Sequence, residues 1–360
     1  MNTADIRAFT VSTRQNHDFI LHRGNIKLLG GLMSENIIET NKLTKEFNTP
    51  IRKPGLSGAL RGVIIRKNKK KIALKDVNIK IKRGEFVGII GPNGAGKSTL
   101  IKILTGILTP SSGTANVLGF VPWTQRQNYA KRIGVVFGQR TQLWWDLPVA
   151  DSFELLKSIY KISNRKQKAN LAEFSKVLGI KKYFNQPVRK LSLGERMRCD
   201  LAASFLHSPE LVFLDEPTIG LDVEAKWAMR EFLKKTNKKG TTVILTTHDM
   251  GDIEELCPRL IIIDGGKVIY DGPTEDVKNM VTERGLVVDF KSPSPQKIAL
   301  PSGVRLIGRQ GDQVEFSVNM KHISVSAAIK NILIKYKVDD ISITEPSIEE
   351  IIRRIYREGL

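Results

Sequence analysis

The stretch GEFVGIIGPNGAGKSTLIKILTG, Gly84 to Gly106, decides the fold of this chain. EFVGIIG is a short apolar run of the kind that forms a parallel strand buried on both faces. STLIKILTG carries apolar residues at helical spacing, Leu100, Ile101, Ile103 and Leu104, and ends at a glycine stop. Between strand and helix lies G-x-x-x-x-G-K-S, spelled Gly91, Pro92, Asn93, Gly94, Ala95, Gly96, Lys97, Ser98 and followed by Thr99. Glycines let the backbone curl so that several N–H groups point at one anion, and the helix start adds positive partial charge. Lys97 is placed to reach terminal phosphates, and the Ser98 hydroxyl to bind Mg²⁺. Because the strand and helix that the motif needs stand on either side of it, a nucleoside triphosphate site is expected.

Composition narrows the class. The 360 residues suffice for one large domain, or a large one with a small companion, and 41% hydrophobic residues support a substantial core. No apolar run approaches the roughly 18 residues that span a bilayer. The N-terminus lacks a basic region followed by an apolar one, so no secretory signal is expected. Two cysteines, Cys199 and Cys257, make neither a disulfide framework nor a metal cluster. A cytoplasmic chain is expected. Net charge is +20, which suggests an anionic partner. From Arg52 to Arg83, twelve Lys and Arg stand against one acidic residue, Asp76. The run fits a solvated insertion, a face near anionic lipid headgroups, or a nucleic-acid patch; the last is disfavoured because no aromatics interleave it.

A second apolar strand, Leu211 to Leu214, ends in Asp215 and Glu216. An acid at the carboxyl end of a parallel strand sits where open α/β sheets hold their ligands. Asp215 is placed to orient Mg²⁺, and Glu216 to accept a proton from an attacking water. On its own the pair is equally an acidic turn ahead of Pro217. A third strand, TTVILTTHDM, brings His248 to the same edge, where it could bond the γ-phosphate; a lone His is otherwise more often structural.

LSLGERMR, Leu191 to Arg198, begins an apparent helix with a Ser-x-Gly turn that offers a hydroxyl and free N–H groups to an anion. With the phosphate loop, the Asp-Glu strand and the His in this order, residues from about Ile37 to Gly272 resemble the ATP-binding-cassette (ABC) ATPases. That family's Leu-Ser-Gly-Gly-Gln signature reads here Leu191-Ser192-Leu193-Gly194-Glu195, with Ser192 and Gly194 kept. The resemblance implies an α/β fold of the P-loop NTPase, ABC type. Its parts are a RecA-like parallel sheet core, an antiparallel β subdomain and an α-helical subdomain. It also implies a head-to-tail dimer in which each ATP lies between one subunit's phosphate loop and the other's Ser192, Gly194 and Glu195. Asp222 matches the D-loop, and Gln139 the Q-loop glutamine that reaches Mg²⁺. Phe47, after NKLTK, matches the aromatic residue that stacks on adenine; a core-facing Phe is the alternative. Trp144 and Trp145 open the helical subdomain and fit core packing, but since neighbours on a helix cannot both face one way, one of them is expected to be exposed. The resemblance implies that a coupling helix of the membrane subunit docks here, which gives the pair an interface role.

The expected organisation is an extension over residues 1–32, disordered or upstream of a start at Met33, then an ATP-binding domain over 37–280. That domain would carry a basic insertion at 50–72 and a helical subdomain at 140–200. Residues 281–360 are expected to form a small α+β appendage, its last helix opened by a Ser347–Glu350 capping box. By resemblance, the chain is the ATP-hydrolysing motor of an exporter. It would bind ATP and Mg²⁺, pair with an identical or different cassette, and act peripherally on a separate polytopic permease. The rival is a soluble ABC ATPase working on ribosomes or nucleic acid. Only one phosphate loop and no sustained heptad occur here, which speaks against it.

Overall fold

The computed structural model describes residues 35–50, 68–138, 140–280, 283–292, 295–344 and 348–358. The fold below is that of the unit Asn36–Leu360. The expected extension at 1–32, Gln139, Ser347 and most of the basic insertion lie outside the described residues.

The strands are β1 (Asn36–Pro50), β2 (Asn68–Val77), β3 (Lys80–Lys82), β4 (Phe86–Ile90), β5 (Ser112–Val117), β6 (Ile133–Phe137) and β7 (Leu211–Asp215). They continue with β8 (Thr242–Thr246), β9 (Arg259–Asp264), β10 (Lys267–Pro273), β11 (Glu283–Phe290), β12 (Val304–Gln310), β13 (Gln313–Asn319) and β14 (Val338–Thr344). The α-helices are α1 (Lys97–Leu104), α2 (Arg126–Tyr129), α3 (Val149–Tyr160), α4 (Asn164–Leu178) and α5 (Leu193–Phe205). After them come α6 (Val223–Lys238), α7 (Met250–Leu256), α8 (Thr274–Asn279), α9 (Val325–Lys335) and α10 (Ile348–Glu358).

Apolar strands form the centre because both their faces are covered. Every residue of β4, β7 and β8 is buried. They belong to a six-stranded sheet in the order β10-β9-β4-β8-β7-β6, parallel except for the β9–β10 pair. Parallel strands need such cover, and helices supply it. The phosphate-loop strand β4 is therefore separated from the acidic strand β7 by β8, and all three deliver their carboxyl ends to one edge.

The second sheet is antiparallel, β2-β1-β3 with β5 also on β1. Lys69 to Lys71 of the basic run lie within β2, paired opposite Phe47 to Thr49. A third sheet, β12-β13-β11-β14, packs its apolar face on α9 through Val288, Phe316 and Ile332 among others. After residue 281 the elements run strand, strand, strand, helix, strand, helix. One arrangement was not expected: Ile348, Ile351, Ile352 and Ile355 of α10 share the core of the ATP-binding region with Leu256 and Val277, rather than the core beneath the third sheet.

The expectation for the tryptophan pair needs correction. Trp144 and Trp145 precede α3 in non-helical backbone and are both exposed, at 38% and 49%. The helical constraint that would have buried one of them does not apply in a turn. Arg196 lies over the Trp145 ring at 5.3 Å.

Candidate functional site

The loop between β4 and α1 takes its shape from Gly96, which caps α1 at φ 115°. A Cβ there would stand 2.5 Å from the Ala73 carbonyl oxygen, so only glycine lets β2 approach this closely. Gly94 to Thr99 line a cleft of about 540 Å³ together with Phe47, Lys71 and Glu216. Pro92 lends its carbonyl to the Lys97 ammonium at 3.3 Å, and Gly91 does so at 2.7 Å. Burial lowers the Lys97 pKa, opposed by the nearby charges of Glu216 and Asp215.

Behind the loop, Ser98 Oγ donates to Asp215 Oδ1 at 3.2 Å, and Thr246 Oγ1 donates to the same oxygen at 2.6 Å. Glu216 follows in left-handed backbone, φ 56°, held by its N–H donating to Thr246 O at 2.9 Å. A non-glycine residue in that conformation costs of order 1–3 kcal/mol and persists only where the surroundings enforce it. Here it turns the carboxylate toward His248, whose Nε2 lies 2.9 Å from Glu216 Oε1 and 3.4 Å from Lys97 Nζ. One ring nitrogen cannot both donate to a carboxylate and accept from an ammonium. The shorter contact assigns the hydrogen to Nε2, directed at Glu216.

The other predicted residues gather elsewhere. Ser192 caps α5, its Oγ accepting from Glu195 N at 3.3 Å, while Ser192 N donates to Glu195 Oε2 at 2.9 Å. This is a capping box, and the hydrogen bond from the Ser192 backbone lowers the Glu195 pKa. Gly194 is flush with the start of α6. A Cβ added to it would meet Ala225 Cβ at 3.2 Å and Asp222 Oδ2 at 3.8 Å. Asp222 caps α6 through Ala225 N at 2.7 Å. None of Ser192, Gly194, Glu195 and Asp222 lines the cleft that holds Lys97.

Phe47, 37% exposed, does line that cleft, so its core-facing alternative falls away. Two residues escaped sequence reasoning. Lys71 pairs with Phe47 across β1 and β2 and so shares its face; the signal was the strand alternation running into the basic run. Thr246 bridges β8 to Asp215, and its signal was a hydroxyl at a strand's carboxyl end. Among the described residues no cluster of three or more His, Cys, Asp or Glu could hold a metal. Hard oxygen donors from Ser98 and Asp215 standing together suit Mg²⁺, which takes few protein ligands and completes its shell with phosphates and water.

The family profile described as ABC transporter matches residues 74–219. The ABC transporter ATP-binding protein NatA of Bacillus subtilis is 34% identical over 212 residues, 58% of this chain and 86% of NatA. The linearmycin resistance ATP-binding protein LnrL of the same organism is 33% identical over 208 residues, 58% of this chain and 67% of LnrL. Against the probable multidrug ABC transporter ATP-binding protein YbhF of Escherichia coli, identity is 34% over 251 residues, 69% of this chain but only 39% of YbhF. The dimeric structure of MJ0796, a bacterial ABC transporter cassette, superposes with TM-score 0.55 at 28% identity, covering 66% of this chain and 98% of that one. A dimeric post-hydrolysis state of MJ0796 bound to ADP and Pi gives TM-score 0.55 at 27% identity, covering 66% and 98%.

Proposed function

This chain belongs to the family of ABC transporter ATP-binding proteins, and from that premise we propose that it powers an exporter whose permease is a separate membrane-spanning chain. It is an ATP-binding, ATP-hydrolysing motor subunit that works as a dimer. The observation that carries the assignment of roles is the convergence of Lys97, Ser98, Asp215, Glu216 and His248 at one sheet edge. Glu216 accepts the proton of the attacking water, and His248, hydrogen-bonded to Glu216, steadies that carboxylate and faces the γ-phosphate. The buried Lys97 ammonium and the backbone from Gly91 to Thr99 hold the phosphates, and Phe47 stacks on adenine. Mg²⁺, held by Ser98, Asp215 and Gln139, would neutralise charge on the phosphate oxygens.

Ser192, Gly194 and Glu195 serve the partner cassette's nucleotide, with Asp222 at the contact. That they do not line this chain's own cleft is what a shared site requires. The partner cassette is identical or different in sequence. Among the described residues no helix is long and apolar enough to cross a membrane; the permease is a separate chain, and the motor sits peripherally on the cytoplasmic face. Relatives named for linearmycin resistance and for multidrug transport support export. The basic run that precedes Lys71, from Arg52 to Lys70, suits anionic headgroups there. The relatives described above are named as transporter or resistance ATP-binding proteins, which favours transport over the ribosomal or nucleic-acid rival.

Affinity purification of the tagged chain from detergent-solubilised native membranes tests this. A polytopic membrane protein recovered in stoichiometric amount is expected. Recovery of ribosomal proteins or DNA without such a protein would overturn it.

A further inference from the structure

Helix α6 is capped by Asp222 and carries Lys226, Arg230 and Lys234 at intervals of one turn. They face three carboxylates on and before α7, the helix that follows His248. Lys226 Nζ lies 2.6 Å from Asp249 Oδ2, and Lys234 Nζ lies 2.7 Å from Glu255 Oε1. These outer pairs are partly exposed and contribute little. The middle one differs. Asp252 has a fully buried side chain, and Arg230, 19% exposed, meets Asp252 Oδ1 through Nε at 2.7 Å and through its second nitrogen at 2.6 Å. Arg230 also donates to Glu255 Oε2 at 2.8 Å.

The contacts continue toward the reaction centre. Thr247 Oγ1 donates to Asp252 Oδ2 at 3.2 Å and accepts from Asp249 N at 2.9 Å. Its single hydrogen is thereby committed, so the Thr218 hydroxyl at 3.4 Å is the donor toward Thr247. Thr247 immediately precedes His248, and Thr218 stands two residues beyond Glu216. One buried chain of polar groups therefore joins the D-loop helix to the backbone on either side of the Glu216–His248 contact.

We propose that Arg230 is a positioning residue for ATP hydrolysis. Through Asp252, Thr247 and Thr218 it sets His248 against Glu216. Because it lies two turns into the helix capped by Asp222, it also ties that setting to the position of the D-loop. A rigid helix transmits a displacement at its first turn to its third, and Arg230 passes it to the His248 segment by two hydrogen bonds rather than by a point charge. The proposal rests on the roles given above to Glu216 and His248, and Glu216→Gln tests those separately.

Removing Arg230 alone would strand a buried carboxylate and endanger folding. The test is therefore the paired variant Arg230→Met with Asp252→Leu, which replaces the ion pair by apolar side chains of similar volume. Steady-state ATPase assays and binding of a fluorescent ATP analogue are compared with the full-length wild type. Thr247→Val, which leaves the ion pair in place, is the second variant and reports if the first fails to fold. Expected is nucleotide affinity within about twofold of wild type, with kcat lower by about 10–100-fold, the usual cost of misplacing a reacting group by about 1 Å. Adding His248→Ala to either variant should then cost much less than it costs in wild type. A kcat within twofold of wild type, or a His248→Ala loss that multiplies in full, would overturn the proposal and leave the ion pair a structural staple.

Discussion

Glu216 shows how one residue's backbone can be set for its chemistry. Its neighbour Asp215 ends β7 in regular geometry, while Glu216 turns into left-handed space and is held there by two hydrogen bonds to Thr246. Replacing its carboxylate with an amide removes the base without disturbing those backbone bonds. Glu216→Gln is therefore expected to cut turnover by roughly 10²–10⁴ while ATP binding survives, measured by phosphate release and equilibrium nucleotide binding. Asp200 offers a prediction of another kind. It is buried on α5 and accepts hydrogen bonds from Thr141 Oγ1 at 2.8 Å and Gln142 N at 3.0 Å, just beyond Gln139. Burial outweighs those bonds and raises its pKa to about 6. In the unfolded chain the same carboxyl ionises near pH 4. Between about pH 4 and pH 6 the folded state thus binds more protons than the unfolded one, and stability falls as pH rises through that window. Wild type should lose about 1–3 kcal/mol relative to Asp200→Asn between pH 4 and pH 7, by urea unfolding at the two values. A parallel pH dependence in both proteins would refute it.

Helix α5 carries two duties at its first turn. The capping box of Ser192 and Glu195 satisfies orphan backbone donors of the helix, and the same serine is assigned to the partner's nucleotide. Loss of the cap in Ser192→Ala should cost about 1 kcal/mol of stability by thermal or urea unfolding. If Ser192 also faces the partner's phosphates, ATP turnover should fall by far more than that small loss explains; unchanged turnover would restrict it to capping. Glu195 departs from the Gln of the family signature, yet both side chains complete a capping box, so the helix start is insensitive to the exchange. The tryptophan pair shows the limit of pattern reading at this scale. Helical periodicity begins only at Val149, and the turn ahead of it leaves both rings exposed.

At the scale of the whole molecule, α10 is the element that linear order misplaces. It closes the chain after the third sheet but buries Ile351 and Ile352 against the core that contains Leu256 and Val277. There it packs on α7 and α8, and α7 is the helix that follows His248. Ile352→Ala should therefore destabilise the ATP-binding region itself, by about 2–4 kcal/mol in urea unfolding. An unchanged transition of that region, with a separate transition lost elsewhere, would show the appendage to be independent.

The sequence by itself determined the phosphate loop, the acidic strand end, the helix start at Ser192 and the alternation of strands and helices. Each of these is local: glycine conformations, strand-length apolar runs and helix caps depend on neighbours within a few residues. Only tertiary structure decided the rest. That β8 stands between β4 and β7 is what lets Thr246 reach Asp215 and His248 reach both Glu216 and Lys97. The link from Arg230 to Thr218 and the docking of α10 likewise join residues distant in the chain. Hydrogen bonds and apolar contacts of this kind follow from how elements pack, and no spacing along the chain encodes them.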